Sequence, residues 1–98
     1  MKILRYLDDQ QTIRHGAVQS DGTVLELEGN ILEGLRETGR PAKVQKRLAP
    51  IVPTQILAIG LNYRKHAEET KARLPEFPVL FVKNVASVQH PGDPIVLP

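Results

Sequence analysis

At 98 residues, 41% hydrophobic and 24% charged, the chain has the make-up of a modest globular protein with a thin stability margin, which oligomerisation or a further segment would widen. Thirteen Lys and Arg against eleven Asp and Glu leave a net charge of +2, too mild to point to nucleic acid, and the absence of cysteine excludes disulfides and thiolate metal sites. The N-terminus lacks the apolar run of a signal peptide, and nothing approaches the ~18 apolar residues of a membrane span, so a soluble, cytoplasmic protein is expected.

The first fifty residues read as a small β-rich unit. Lys2 to Leu7 is a strand, Asp8-Asp9-Gln10-Gln11 a polar turn, and Thr12 to Gln19 a second strand. Asp21-Gly22, set between that strand and Thr23–Leu27, is a strong hairpin signal. Asn30 is placed to cap a short helix over 31–38, with Ile31, Leu32 and Leu35 on one face and Gly39 as its stop. Residues 40–54 hold Pro41, Pro50 and Pro53 with little periodicity and read as a connection, with the domain boundary near Leu48–Thr54. The basic stretch Arg36, Arg40, Lys43, Lys46 and Arg47 is a solvated part of that region; it has no aromatic to stack a base and no ordered basic face.

The second half changes character. Ile56-Leu57-Ala58-Ile59 is apolar on both faces, the mark of a strand buried in a larger core. Val79-Leu80-Phe81-Val82 repeats the pattern, and Ile95-Val96-Leu97 begins a third such run after the tight turn Pro91-Gly92-Asp93-Pro94. Between the first two lie Gly60-Leu61-Asn62-Tyr63 and a helix from about Arg64 to Arg73, with Pro75 and Pro78 bracketing the return. The chain stops directly after the third run, which reads as a truncation.

The densest chemistry lies in Gly60-Leu61-Asn62-Tyr63-Arg64-Lys65-His66-Ala67-Glu68-Glu69. His66 and Glu69, three apart on a helix, share a face, and a carboxylate against an imidazole fixes its tautomer and raises its basicity. Taken bare, such a pair is more often a weak surface contact, worth only tenths of a kcal/mol. A di-metal site built from Glu and His at i, i+3 is a further alternative, though it needs several helices.

This decapeptide resembles the Gly-x-Asn-Tyr-x-x-His-x-x-Glu pattern of the fumarylacetoacetate hydrolase family. Leu74-Pro75-Glu76-Phe77-Pro78-Val79-Leu80-Phe81-Val82-Lys83 is similar to its Pro-x-x-Pro-Val-Leu-Phe-x-Lys stretch, and Pro91 to Pro98 to its Pro-Gly-Asp-Pro-Ile-x-Leu-Pro turn and strand. The three motifs keep the family's order over residues 55–98, while the first fifty residues resemble more loosely the small N-terminal domain of many bacterial members. The resemblance implies a metal-dependent hydrolase, decarboxylase or isomerase acting on carbon–carbon bonds of diketo or oxo-acid substrates, cytoplasmic and homo-oligomeric. It implies His66 as the base and Glu69 as its orienting partner, with Asn62, Tyr63, Arg64 and Lys83 contacting substrate. Its Mg²⁺ or Mn²⁺ would chelate the substrate's keto-acid oxygens, but the family's carboxylate ligands lie after the Ile95–Leu97 strand, so no metal ligand is assigned here.

Asn84-Val85-Ala86-Ser87 departs from the family's proline and Ser/Thr after the lysine. Glu26-Leu27-Glu28 matches the ligand pattern only in form and reads as surface charge, and His15 and His90 read as structural or solvent-facing. The expected architecture is β-rich α+β: a small N-terminal β-hairpin and helix unit over 1–50, then, over 51–98, the opening strands of an incomplete fumarylacetoacetate-hydrolase-like β-roll. The rival reading is a short non-catalytic protein serving as a binding or assembly module.

Overall fold

The computed structural model describes residues 1–98, and the alternation of side chains along its first half builds a five-stranded antiparallel sheet in the order β4-β3-β2-β1-β5. The strands are β1 (Lys2–Leu7), β2 (Ile13–Val18), β3 (Val24–Asn30), β4 (Gly34–Pro41) and β5 (Lys46–Leu48). In β1 and β2, Ile3 stands opposite Ala17 and Leu7 opposite Ile13, while Tyr6 meets Arg14 and Leu4 meets Gly16. Because successive side chains alternate, Ile3, Leu7, Ile13, Ala17, Leu25 and Leu27 fall on one face. Tyr6, Arg14, Gly16, Glu26 and Glu28 fall on the other.

Gly16 lets that second face pack. A Cβ there would lie 2.5 Å from Val24 Cγ1 and 3.2 Å from Tyr6 Cε1, so a bare backbone is needed beside the Tyr6 ring. Tyr6 is wholly buried, and burial, with the Glu26 carboxylate near, pushes its phenol above the ordinary range. The loop before β2 is closed by Asp8, whose Oδ1 accepts from the backbone N–H of Gln10 (2.9 Å) and Thr12 (2.8 Å) and whose Oδ2 accepts from Arg14 Nε (2.6 Å). From Arg14 a run of alternating charge crosses the sheet, to Glu26 (3.6 Å), Arg40 (2.8 Å), Glu28 (2.7 Å) and Arg36 (3.2 Å).

The helix expected over 31–38 is not there. Asn30 spends its side chain on a turn: Oδ1 accepts from Leu32 N–H at 2.8 Å, and its carbonyl accepts from Glu33 N–H at 3.1 Å. Gly34 follows at φ +126°, a conformation no helix contains and few side chains tolerate, and β4 runs back along β3. The expected connection over 40–54 also contains a strand, β5, which pairs with β1 through Arg5 and Leu48. Arg36, Arg40 and Lys46 of the basic stretch accordingly lie in strands and are paired with carboxylates.

The chain divides into two compact units, 1–52 with 89–98, and 53–88. Residues 89–93 join the first through the Ala49 N–H, which donates to His90 Nδ1 (2.9 Å), and through Lys46 Nζ on Asp93 Oδ1 (2.7 Å). The run Ile95–Leu97 forms no strand: it pairs with nothing and its three side chains are exposed, correcting the sequence expectation.

In the second unit β6 (Ile56–Gly60) and β7 (Val79–Lys83) form an antiparallel ribbon. The register puts Leu57, Ile59, Leu80 and Val82 on one face, all exposed, where the sequence led us to expect burial. Helix α1 spans Arg64–Glu69, shorter than expected. It ends because Lys71 turns left-handed (φ +54°) and donates to the Glu68 carbonyl while Ala72 donates to that of Ala67, the paired bonds of a Schellman stop. No helix is long and apolar enough to cross a membrane. The architecture is β-rich with little helix.

Three outcomes follow from this packing. Gly16→Ala should destabilise the first unit by about 1–3 kcal/mol, the usual result of overpacking, measured by urea denaturation; an unchanged midpoint would refute the close approach. Arg14 first, and then the Thr12 N–H, hold the Asp8 carboxyl below the usual carboxylate range. Its stabilising contribution is therefore complete above the unfolded value of about 3.9 and is lost as pH falls through the lower folded value. Thermal midpoints measured from pH 7 to pH 2 should fall in that window, and Asp8→Asn should flatten the fall. Lys71→Gly should stabilise the end of α1 by about 0.5–1 kcal/mol, because glycine adopts a positive φ freely. Amide exchange of residues 67–72 reads this as added protection, and lost protection would contradict it.

Candidate active site

Strand β6 delivers the chain to a sharp turn. Gly60 closes the ribbon opposite Val79, and Leu61 then takes φ +49°, a left-handed conformation costing a leucine roughly 1–2 kcal/mol. That twist swings the backbone away from the sheet direction. Asn62 follows, Tyr63 stands extended as N-cap without a side-chain capping bond, and α1 begins at Arg64. Ala67 is the buried residue of this helix; Arg64, His66 and Glu69 are exposed, as are Asn62 and Tyr63 before it.

A cleft of about 240 Å³ lies at this turn. It is lined by two segments: Ile59 to Asn62 with Arg64, and Leu74 to Pro78. The structure therefore brings Asn62 and Arg64 together in one concavity. Tyr63, His66 and Glu69 do not line it, and no hydrogen bond or ion pair links the His66 ring to the Glu69 carboxylate; the His66 main-chain carbonyl accepts from the Thr70 hydroxyl at 2.9 Å. Lys83 stands opposite Ile56, at the other end of the ribbon from Gly60. At about 3.3 Å per residue that is roughly 13 Å from the turn. Its ammonium lies 5.9 Å from the centre of the Phe81 ring.

Glu76 and Phe77 are cleft residues that sequence reasoning passed over as part of the motif's spacing. Their signal was the pair of flanking prolines, which fix φ at Pro75 and Pro78 and bias the residues before them toward extended backbone.

Charge is distributed unevenly. All seven ion pairs join residues of the first unit, the farthest along the chain being Lys46 with Asp93. The second unit's Arg64, Lys65, Glu68, Glu69, Lys71, Arg73, Glu76 and Lys83 form none. A second cavity, of about 260 Å³, sits on the charged face of the sheet against Asp8, Arg14, Glu26 and Arg40, but these groups are already joined to one another. Glu26 and Glu28 are each held by arginine, which accounts for their spacing without a metal. No three His, Asp or Glu side chains gather closely enough to hold a metal ion, so the residues present do not fit the Mg²⁺ or Mn²⁺ that the resemblance implies.

Residues 1–47 match the family model described as "Rv2993c-like, N-terminal", and residues 55–98 match that of "Fumarylacetoacetate (FAA) hydrolase C-terminal". A protein of Archaeoglobus fulgidus is 38% identical over 86 residues, covering 88% of this chain and 31% of that protein. The 2,4-didehydro-3-deoxy-L-rhamnonate hydrolase of Sphingomonas sp. is 32% identical over an alignment spanning all of this chain and 39% of the relative. The mitochondrial oxaloacetate tautomerase Fahd2a of Rattus norvegicus is 40% identical over 52 residues, 52% of this chain and 17% of that protein. The chain thus spans well under half the length of these relatives. No solved structure matches it significantly. The two matched regions, which together take in nearly the whole sequence, place the chain in the fumarylacetoacetate hydrolase family.

Proposed function

We propose that this chain is the N-terminal part of an enzyme that acts on small oxo-acid or diketo-acid substrates, hydrolysing, decarboxylating or isomerising them at the carbon next to a carbonyl. The carrying observation is the cleft at the Gly60–Arg64 turn, where a guanidinium and a carboxamide with no protein partner line one concavity beside the helix bearing His66. Arg64 offers a bidentate donor to a substrate carboxylate, and Asn62 offers a donor and an acceptor to its carbonyl oxygen or hydroxyl. His66 takes a proton from water or from the carbon beside the carbonyl, and Glu69, one turn further along the helix and not bonded to the ring in this structure, would accept from the opposite ring nitrogen once the two side chains turn together, supporting the imidazolium. Tyr63 and Lys83 are the outer substrate contacts in this reading, Lys83 requiring approach from the ribbon's far end. The second unit would be the opening of a β-roll completed elsewhere, and any divalent ion would be held by residues outside these 98.

A second reading, a non-catalytic assembly module, is favoured by one observation: the exposed aliphatic face of the β6–β7 ribbon. Kinetics of the whole protein separate the two. In the enzyme, His66→Ala should lower kcat/KM by about 10²–10⁴-fold. Glu69→Gln should lower it less, and the double variant should be little worse than His66→Ala alone, since residues acting as a unit are strongly non-additive. Additive losses would remove the dyad, and a wild-type protein that turns over none of these substrates would leave the module reading.

A further inference from the structure

Leu74 to Pro78 form the part of the cleft that the motif chemistry leaves without a role, and they differ in kind from the segment they face. Arg64 contributes one unpaired cation and Glu76 one unpaired anion. The rest of that second segment is apolar, Pro75 and Phe77 flanking the acid and Leu74 preceding them, with Phe77 75% exposed. Pro75 and Pro78 restrict the tetrapeptide at both ends, so the acid and the ring are held on a stiff segment, not a wandering loop.

From this arrangement we infer that Glu76 and Phe77 select the substrate's distal end, admitting monocarboxylates with an apolar tail and disfavouring dicarboxylates. The inference rests on the cleft being the substrate site. With the carboxylate head on Arg64, a ligand's other end extends toward Leu74–Pro78. An aliphatic tail meets Leu74 and Phe77 there and removes apolar surface from water. A second carboxylate meets Glu76 instead. In so small a cleft the two anions repel each other, and Arg64 is the one cation among the lining residues, so no other neutralises the pair once Arg64 is occupied. Discrimination here comes from a repulsive element as much as from an attractive one.

The test is the ratio of kcat/KM for oxaloacetate, a dicarboxylate, to that for an acylpyruvate with an aliphatic acyl chain, measured on the whole protein. Glu76→Gln should raise the ratio by roughly tenfold and Glu76→Lys should raise it further, in charge order. Phe77→Ala should raise it too, through loss of the acylpyruvate. Glu68→Gln, an exposed acid of α1 outside the cleft, serves as control and should leave the ratio at the wild-type value. High salt should compress the Glu76 series, because exposed charges are screened. A ratio that ignores Glu76, or that moves equally with Glu68, overturns the inference while leaving the cleft as substrate site. A wild-type protein inactive on both substrates overturns the functional reading and this inference with it.

Discussion

The Asp8 carboxylate sits almost wholly out of solvent and accepts three hydrogen bonds, two from backbone N–H groups in its own loop and one from Arg14. A buried carboxylate is tolerated only when its lone pairs are used in this way. The two backbone bonds close the loop between β1 and β2, and the loop sets Leu7 opposite Ile13. A slip of one residue in that pairing would send every side chain of β2 to the wrong face. The third bond fixes Arg14, and through it the alternating charges that reach Arg36 at the far edge of the sheet. Individual exposed pairs contribute little, but a chain of them over one face leaves no carboxylate of β3 unmatched.

The first unit shows how far local chemistry reads from sequence and where it stops. The Asp21-Gly22 hairpin was legible because turn residues and flanking alternation agree, and Asp21 Oδ1 does close it by accepting from the Thr23 N–H and hydroxyl. The segment after Asn30 was misread because the same side chain that caps a helix also closes a turn, and Ile31, Leu32 and Leu35 fit a helical face as well as they fit a turn and a strand. Tertiary pairing with β3, invisible in the sequence, decided it. β5 was missed for a related reason: three residues carry no periodicity, and Lys46–Leu48 are a strand only because β1 is there to pair with. His90 illustrates the same limit, its ring nitrogen serving a backbone N–H 41 positions earlier.

In the second unit the motif's residue types were legible and their grouping was not. Gly60 through Arg64 could be placed at a strand end from composition alone, and Asn62 and Arg64 do meet in a cleft there. Glu76 and Phe77 join that cleft only because the ribbon brings Val79 back opposite Gly60, which is a fact of register. Register also carries Lys83 to the opposite end, since each residue gained along β7 is one lost along β6.

The left-handed Leu61 bears on how such a cleft meets its ligand. A glycine at that position would let the peptide planes on either side flip between orientations of similar energy, and the turn would exist as an interconverting mixture. A leucine has few alternatives once the ribbon holds Gly60 in place, so the fold bears the strain in advance and the turn keeps a single orientation. A ligand bound there would spend none of its binding energy on ordering that backbone, and its association would resemble capture by a preset surface more than moulding around the guest.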